Sequence, residues 1–155
     1  MPIIFCLFLA LDQISKFAVQ ANLRLNESVE IIPGLFNLTY ALNPGAAFGI
    51  LRGQSETFRI LFFVGMTVLA CVLIFALIVR EYHYKLRTFA YTAVMAGALG
   101  NMIDRLRIGK VVDFLDFYFK SWRWYTFNIA DSFITVSIAI LIIDLLLLNK
   151  GEKNG

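Results

Sequence analysis

The sequence predicts an all-α membrane protein with four transmembrane helices and a small β-rich element outside the bilayer. Of its 155 residues, 59% are hydrophobic and only 16% are charged, whereas charged residues make up about a quarter of an ordinary soluble domain. Four long apolar segments follow one another along the chain. Since one span takes about 20 residues, four spans leave little chain for domains outside the membrane.

The first helix is predicted over about residues 2–19. The stretch from Met1 to Leu11 is almost wholly apolar, but it lacks the basic start and the small-residue cleavage site of a secretory signal peptide. Asp12 and Lys16 lie four residues apart, so they share one helix face and can pair. Spacing alone leaves a structural ion pair and a functional role equally open.

A small β cradle is predicted over about residues 21–56, where the helical period disappears. Two short runs, 29–32 and 35–40, are separated by Pro33-Gly34, which is a turn signal between two strands. A second turn signal at Asn43-Pro44-Gly45 is followed by small residues, which allow another backbone to approach closely. An ordinary loop is the alternative for this second segment.

Three further helices are predicted, over about residues 58–79, 88–106 and 126–148. Residues 60–79 are all uncharged and form the clearest span in the chain. The next helix is rich in Gly and Ala at a spacing of four, as in Ala93 with Gly97, which predicts close packing against a neighbouring helix. The segment 107–125 is predicted to be a loop or short helix that lies over the functional site.

Four spans place both chain ends on one side of the membrane, together with the short loop 80–87. This loop is basic and aromatic. Because Lys and Arg in short loops favour the cytoplasmic side, we place the loop and both termini in the cytoplasm.

Acidic residues are concentrated near the opposite membrane face. The stretch from Gly100 to Asp131 contains four aspartates, Asp104, Asp113, Asp116 and Asp131. Ionisable groups at bilayer depth usually face a functional site. Carboxyls crowded together in a partly dehydrated place cannot all ionise, and two that share one proton form a working acid and base.

Spacing leaves open which two acids form that pair. Basic residues beside Asp12 and Asp104 can neutralise them, whereas Asp113 and Asp131 stand among apolar neighbours. Asp116 fits the role nearly as well as Asp113.

Other chemistries lack candidate residues. The sequence has no G-x-S-x-G, no H-E-x-x-H and no Cys with a matching His, so serine, zinc and cysteine hydrolysis are excluded. The net charge of +3 comes with scattered basic residues rather than a nucleic-acid footprint, so no nucleic-acid partner is predicted.

Five motifs in order make the chain resemble the lipoprotein signal peptidases, or signal peptidase II, which are aspartyl peptidases of the bacterial inner membrane. The resemblance covers nearly the whole chain. The motifs are Asp12-Gln13 with Lys16, Asn43-Pro44-Gly45-Ala46-Ala47-Phe48, Gly100-Asn101-Met102-Ile103-Asp104-Arg105, Val112-Asp113-Phe114 and Phe127-Asn128-Ile129-Ala130-Asp131-Ser132.

The resemblance implies an endopeptidase that removes the signal peptide of a diacylglyceryl-modified prolipoprotein, cutting just before the lipidated cysteine. It implies cytoplasmic termini, a site near the extracytoplasmic face beneath a β cradle, contact with membrane lipid, inhibition by globomycin, and no metal or cofactor. By motif, the catalytic pair maps to Asp113 and Asp131. Substrate-binding or supporting positions map to Asp12, Lys16, Asn43, Gly45, Asn101, Asp104, Arg105, Asn128 and Ala130.

A small transporter that uses intramembrane carboxylates as a proton relay is the alternative function. It would need acids distributed across the bilayer. Only Asp144 lies far from the acidic cluster, and the two halves of the chain show no inverted repeat.

Overall fold

The computed structural model describes residues 1–45, 51 and 53–152. Within these residues the chain forms four helices and four strands. In chain order they are α1 Pro2–Asn22, β1 Ser28–Ile32, β2 Phe36–Asn43, α2 Glu56–Arg80, α3 Lys85–Ile108, β3 Val111–Phe119, β4 Trp122–Arg123 and α4 Ile129–Glu152.

Three of the helices are long and apolar enough to cross a membrane. They are α1, α2 and the 129–147 part of α4, with mean hydropathies of 1.7, 2.9 and 2.2. None of the residues of α2 is buried within the protein, which suits a helix whose solvent is lipid. The remaining helix, α3, has 24 residues but carries charged residues near both ends.

Helix α3 lies at the centre and packs against each of the other three helices. Its small residues permit this, as the sequence predicted: Ala93 and Ala96 are fully buried. A methyl group added at Gly97 would lie 2.6 Å from the backbone oxygen of Ala130 in α4, and one added at Gly100 would collide with the carboxyl of Asp12 in α1. The close packing of α3 against α1 and α4 therefore requires small residues at these positions.

The four strands form one antiparallel sheet in the order β1-β2-β3-β4. The turn predicted at Pro33-Gly34 is confirmed, with Gly34 at a φ of 73°, a conformation that glycine adopts without strain. Strands β1 and β2 match the two predicted runs, and β2 pairs with β3 so that Ala41 lies opposite Asp113.

The prediction of a loop or helix over residues 107–125 is wrong. Most of this segment is β3 and β4, and the described residues contain no helix between α3 and α4. The run from Val111 to Phe119 gains its strand conformation from hydrogen bonding to β2, a partner about 70 residues earlier. Such pairing outweighs local preference.

The sheet docks on the helices through a small apolar core. Val19 of α1 packs with Val112 and Phe114 of β3. On the sheet, the rings of Phe36 and Phe117 are 4.7 Å apart. The docking brings the middle of β3 to the segment just before α4, where Leu115 and Phe127 form an isolated bridge.

Candidate active site

Asp113 is a buried carboxyl held by two asparagine amides. It projects from β3, is 2% exposed, and accepts hydrogen bonds from Asn43 Nδ2 at 2.9 Å and Asn128 Nδ2 at 2.7 Å. Burial raises the pKa of Asp113 to about 7. The nearby charge of Asp131 also raises this pKa, whereas the hydrogen bonds from Asn43 and Asn128 lower it. Asp113 is therefore poised to hold or release a proton near neutral pH.

Asp131 stands in the first turn of α4, opposite Asn128 in a reciprocal cap. The backbone N–H of Asp131 donates to Asn128 Oδ1 at 2.9 Å, and the backbone N–H of Asn128 donates to Asp131 Oδ2 at 3.3 Å. This is the pattern of a capping box. Asn101 of α3 donates to the other carboxyl oxygen of Asp131 at 2.8 Å.

Asn128 therefore joins the two acids. Its side-chain nitrogen donates to the carboxyl of Asp113, and its side-chain oxygen accepts from the backbone N–H of Asp131. The same nitrogen also contacts Asn101 Oδ1 at 3.1 Å. The two carboxyls therefore lie in one hydrogen-bond network.

Lys16 neutralises two buried carboxylates beneath this pair. Its ammonium lies 2.9 Å from Asp12 and 3.0 Å from Asp104, and it donates to Asn101 Oδ1 at 2.8 Å. The predicted Asp12–Lys16 pair is thus present, and both side chains are fully buried. Asp104 forms its ion pair with Lys16 of α1 and not with the adjacent Arg105.

The two neutralised acids position the backbone of the site. Asp12 accepts the backbone N–H of Ala130 at 3.0 Å, which satisfies a free amide in the first turn of α4. Asp104 accepts the backbone N–H of Val112 at 3.1 Å, just before Asp113 in β3. One buried charge cluster thus fixes both segments that carry the paired acids.

Asn43 and Gly45 form a tight turn beside Asp113. The backbone N–H of Gly45 donates to Asn43 Oδ1 at 2.8 Å, which orients the Asn43 amide toward Asp113. Gly45 has a φ of 86°, and a side chain there would collide with the ring of Phe63. Ala46, Ala47 and Phe48 of the same motif lie outside the described residues.

A cavity of about 660 Å³ opens beside Asp131. Its lining includes Asn43, Phe63, Arg105, Trp124, Asp131 and Thr135. The guanidinium of Arg105 lies 4.8 Å from the centre of the Phe63 ring. Phe63 was not predicted, since nothing distinguishes it in sequence from the other phenylalanines.

Asp116, the alternative to Asp113, lies elsewhere. It is three positions along β3 and so projects from the opposite face of the strand. It accepts from Thr39 at 3.0 Å and lies 3.3 Å from Arg123 Nε. No group of three or more His, Cys, Asp or Glu side chains in the described part of the chain is arranged to hold a metal ion.

The comparison with known proteins gives a single family. A family model described as signal peptidase (SPase) II matches residues 4–147. The chain belongs to the signal peptidase II family. It is 44% identical over 148 residues to the lipoprotein signal peptidase of Syntrophus aciditrophicus, covering 95% of this chain and 92% of that one. It is 43% identical over 152 residues to that of Moorella thermoacetica, with coverage of 95% and 92%.

Solved structures agree with the assignment to the signal peptidase II family. A bacterial membrane enzyme determined by the in meso method at 2.3 Å has a TM-score of 0.87 and 32% identity, covering 99% of this chain and 91% of that one. A second, at 1.9 Å, has a TM-score of 0.83 and 33% identity, with coverage of 93% and 90%. The family match and the names of the relatives identify this chain as an aspartic-type signal peptidase II, a membrane enzyme.

Proposed function

We propose that the chain removes signal peptides from diacylglyceryl-modified prolipoproteins, cutting just before the lipidated cysteine, with Asp113 and Asp131 as the catalytic pair. The observation that carries this is the Asn128 bridge, which joins Asp113 Oδ1 to the cap that holds Asp131. Membership of the signal peptidase II family supports the substrate class.

Two carboxyls that share one proton can hydrolyse a peptide bond without a covalent intermediate. The ionised carboxyl removes a proton from water as the water oxygen attacks the scissile carbonyl carbon, and the protonated carboxyl donates to the carbonyl oxygen. Collapse of the tetrahedral intermediate breaks the C–N bond, and a proton passes to the leaving amine. The pKa of about 7 at Asp113 suits a group that must both hold and release a proton.

Arg105 and the cavity beside it supply a place for the substrate. The side chain faces the cavity next to Asp131, and its Nε has no hydrogen-bond partner within the described residues. An unused, shielded donor suits a peptide carbonyl or an ester oxygen of the lipidated substrate. Asn43 and Gly45 line the same cavity and bring the β cradle to the reacting bond.

We place the enzyme in the bacterial inner membrane with all four helices crossing it. Helix α3 has the length of a span and is surrounded by α1, α2 and α4, which supports its role as the fourth. Both termini and the α2–α3 loop then lie in the cytoplasm, and the acid pair lies near the extracytoplasmic face.

The positions of the acids argue against a proton relay across the bilayer. Asp131 and Asp144 are 13 residues apart in α4, or about 20 Å along its axis. Asp144 is paired with Arg87. No described acidic residue of the helices bridges the gap between the two ends.

The test is cleavage of a synthetic peptide that carries a lipobox and a diacylglyceryl cysteine, by purified protein in lipid. We expect one cut, before the modified cysteine, blocked by globomycin and unaffected by a metal chelator. An unmodified peptide of the same sequence is the control. Absence of cleavage by folded protein would refute the proposal.

A further inference from the structure

A second cavity lies at the far end of the helix bundle from the acid pair. It has a volume of about 280 Å³ and sits between α3 and α4. One wall is apolar and includes Ile138, Leu141 and Leu145, which follow one face of α4 over about 10 Å. Side chains on this face are exposed to the lipid side, Leu145 by 57%. The apolar wall thus continues into the bilayer.

The other wall is charged and contains both signs. Arg87 Nε donates to Asp144 Oδ2 at 2.5 Å, and Arg87 Nη1 donates to Glu81 Oε2 at 3.1 Å. The three charged residues of this wall, Glu81, Arg87 and Asp144, carry a formal charge of −1. Outside the lining, Arg80 forms a second pair with Glu81 at 2.9 Å. Hydrogen bonding from Arg80 holds the pKa of Glu81 below its usual range.

This network leaves one donor atom and one acceptor atom of the cavity-lining residues without a partner among the described residues. Within the described part of the chain, Arg87 Nη2 donates no hydrogen bond and Asp144 Oδ1 accepts none. Both side chains remain partly exposed, at 19% and 24%. A donor for phosphate and an acceptor for an ammonium group therefore stand side by side at the head of an apolar groove.

We propose that this cavity binds a zwitterionic phospholipid whose headgroup ends in a primary ammonium. The phosphate contacts Arg87 Nη2, the ammonium donates to Asp144 Oδ1, and an acyl chain lies along α4. The lining has no net positive charge, which favours a zwitterion over an anionic lipid, because an anionic headgroup brings no cation to the Asp144 carboxylate. The site is separate from the acid pair and belongs to the opposite leaflet.

The test measures lipid binding without any peptide substrate. Delipidated protein in detergent is titrated with phosphatidylethanolamine, phosphatidylcholine or phosphatidylglycerol, and bound lipid is counted by native mass spectrometry. We expect one phosphatidylethanolamine per chain, bound more tightly than the other two lipids. Phosphatidylcholine is informative because its quaternary ammonium has the charge but no N–H to donate.

Variants separate the headgroup from the groove. Asp144→Asn is expected to weaken phosphatidylethanolamine binding about tenfold, the size of one charge-assisted hydrogen bond, while Asp144→Glu restores much of it. Leu141→Trp fills the groove and is expected to abolish binding of all three lipids. Matched controls are Glu30→Gln on β1 and Leu69→Trp on the exposed face of α2.

Equal affinity for the three lipids would overturn the headgroup assignment. Unchanged binding in folded Leu141→Trp protein would overturn the site itself. Thermal unfolding of each variant verifies that it is folded. Because no cleavage is measured, these outcomes are independent of whether the chain processes prolipoproteins.

Discussion

Asn128 donates its side-chain amide to Asp113 across 2.7 Å, while its side-chain oxygen caps the backbone N–H of Asp131 at 2.9 Å. One residue thus orients an acid on a strand and an acid on a helix. An asparagine suits this position because its amide can donate and accept at once.

The two bridged acids are expected to be indispensable. Asp113→Asn and Asp131→Asn each remove a member of the proton-sharing pair, so cleavage of the lipidated peptide should fall by at least about 10³-fold. Asp116→Asn is the matched control, since Asp116 is a buried carboxyl of the same strand that faces Thr39 and Arg123. Turnover near wild type in either pair variant would remove that acid from catalysis.

Asn128→Ala should lower both activity and stability. Loss of the helix cap costs about 1 kcal/mol of unfolding free energy, and loss of the buried amide leaves the oxygens of Asp113, Asn101 and Val112 without this donor, at about 1–3 kcal/mol for each unpaired group. Misplacement of the two carboxyls should lower kcat by about 10²-fold. Asn22→Ala, at the exposed end of α1, is the control for removing an asparagine amide. Equal kcat in the two variants would mean that the bridge has no role in catalysis. Thermal unfolding measures the stability term.

The pH dependence should follow Asp113. With a pKa of about 7, Asp113 loses its proton as pH rises through that value, so kcat/KM should decline above about pH 7. The folded carboxyl binds its proton more tightly than the unfolded one, whose pKa is 3.8. Unfolding free energy should therefore fall between about pH 4 and about pH 7 and level off above.

A flat kcat/KM profile up to about pH 9 would contradict this assignment. Asp113→Asn should also lose the part of the stability slope that this carboxyl contributes. That second measurement needs no turnover.

Lys16→Met should destabilise the protein strongly. It leaves the buried carboxylates of Asp12 and Asp104 without their cation, and breaking such a buried network costs about 3–5 kcal/mol. Arg80→Met removes a charge from an ion pair whose arginine side chain is 73% exposed, and it should cost less than about 1 kcal/mol. Denaturant unfolding of both variants in detergent compares them directly, and similar losses would argue against the cluster.

Gly97→Ala tests the close packing of α3 on α4. The added methyl would lie 2.6 Å from the Ala130 backbone oxygen, so the helices must separate and the melting temperature should fall by several degrees, about 1–3 kcal/mol. Gly65→Ala in α2 meets no atom within 4 Å and should be neutral or slightly stabilising, because alanine favours a helix. A neutral Gly97→Ala would show that the interface tolerates widening.

Local pattern was enough for the helices and for the features that depend on nearby residues. Apolar length predicted α1, α2 and α4, and the spacing of four predicted both the Asp12–Lys16 pair and the small-residue face of α3. The Pro33-Gly34 turn could be predicted because glycine adopts a positive φ without strain, and Gly34 has one. The acidic cluster itself was visible because charges are rare in such an apolar chain.

Long-range pairing could not be predicted in the same way. The sequence of β3 suggests a connecting loop, because its strand conformation depends on hydrogen bonds to the distant strand β2. The contact of Asn43 with Asp113 joins residues 70 apart, and that between Lys16 and Asn101 joins residues 85 apart. Spacing therefore left Asp113 and Asp116 nearly equivalent, whereas the alternation of side chains along a paired strand separates them.

The sheet carries one acid of the proposed pair and helix α4 carries the other, so under this proposal hydrolysis takes place at the interface between these two layers. Neither layer holds a complete proton pair by itself. A molecule that wedged the layers apart would silence the enzyme while leaving both intact, and it would not need to resemble a peptide.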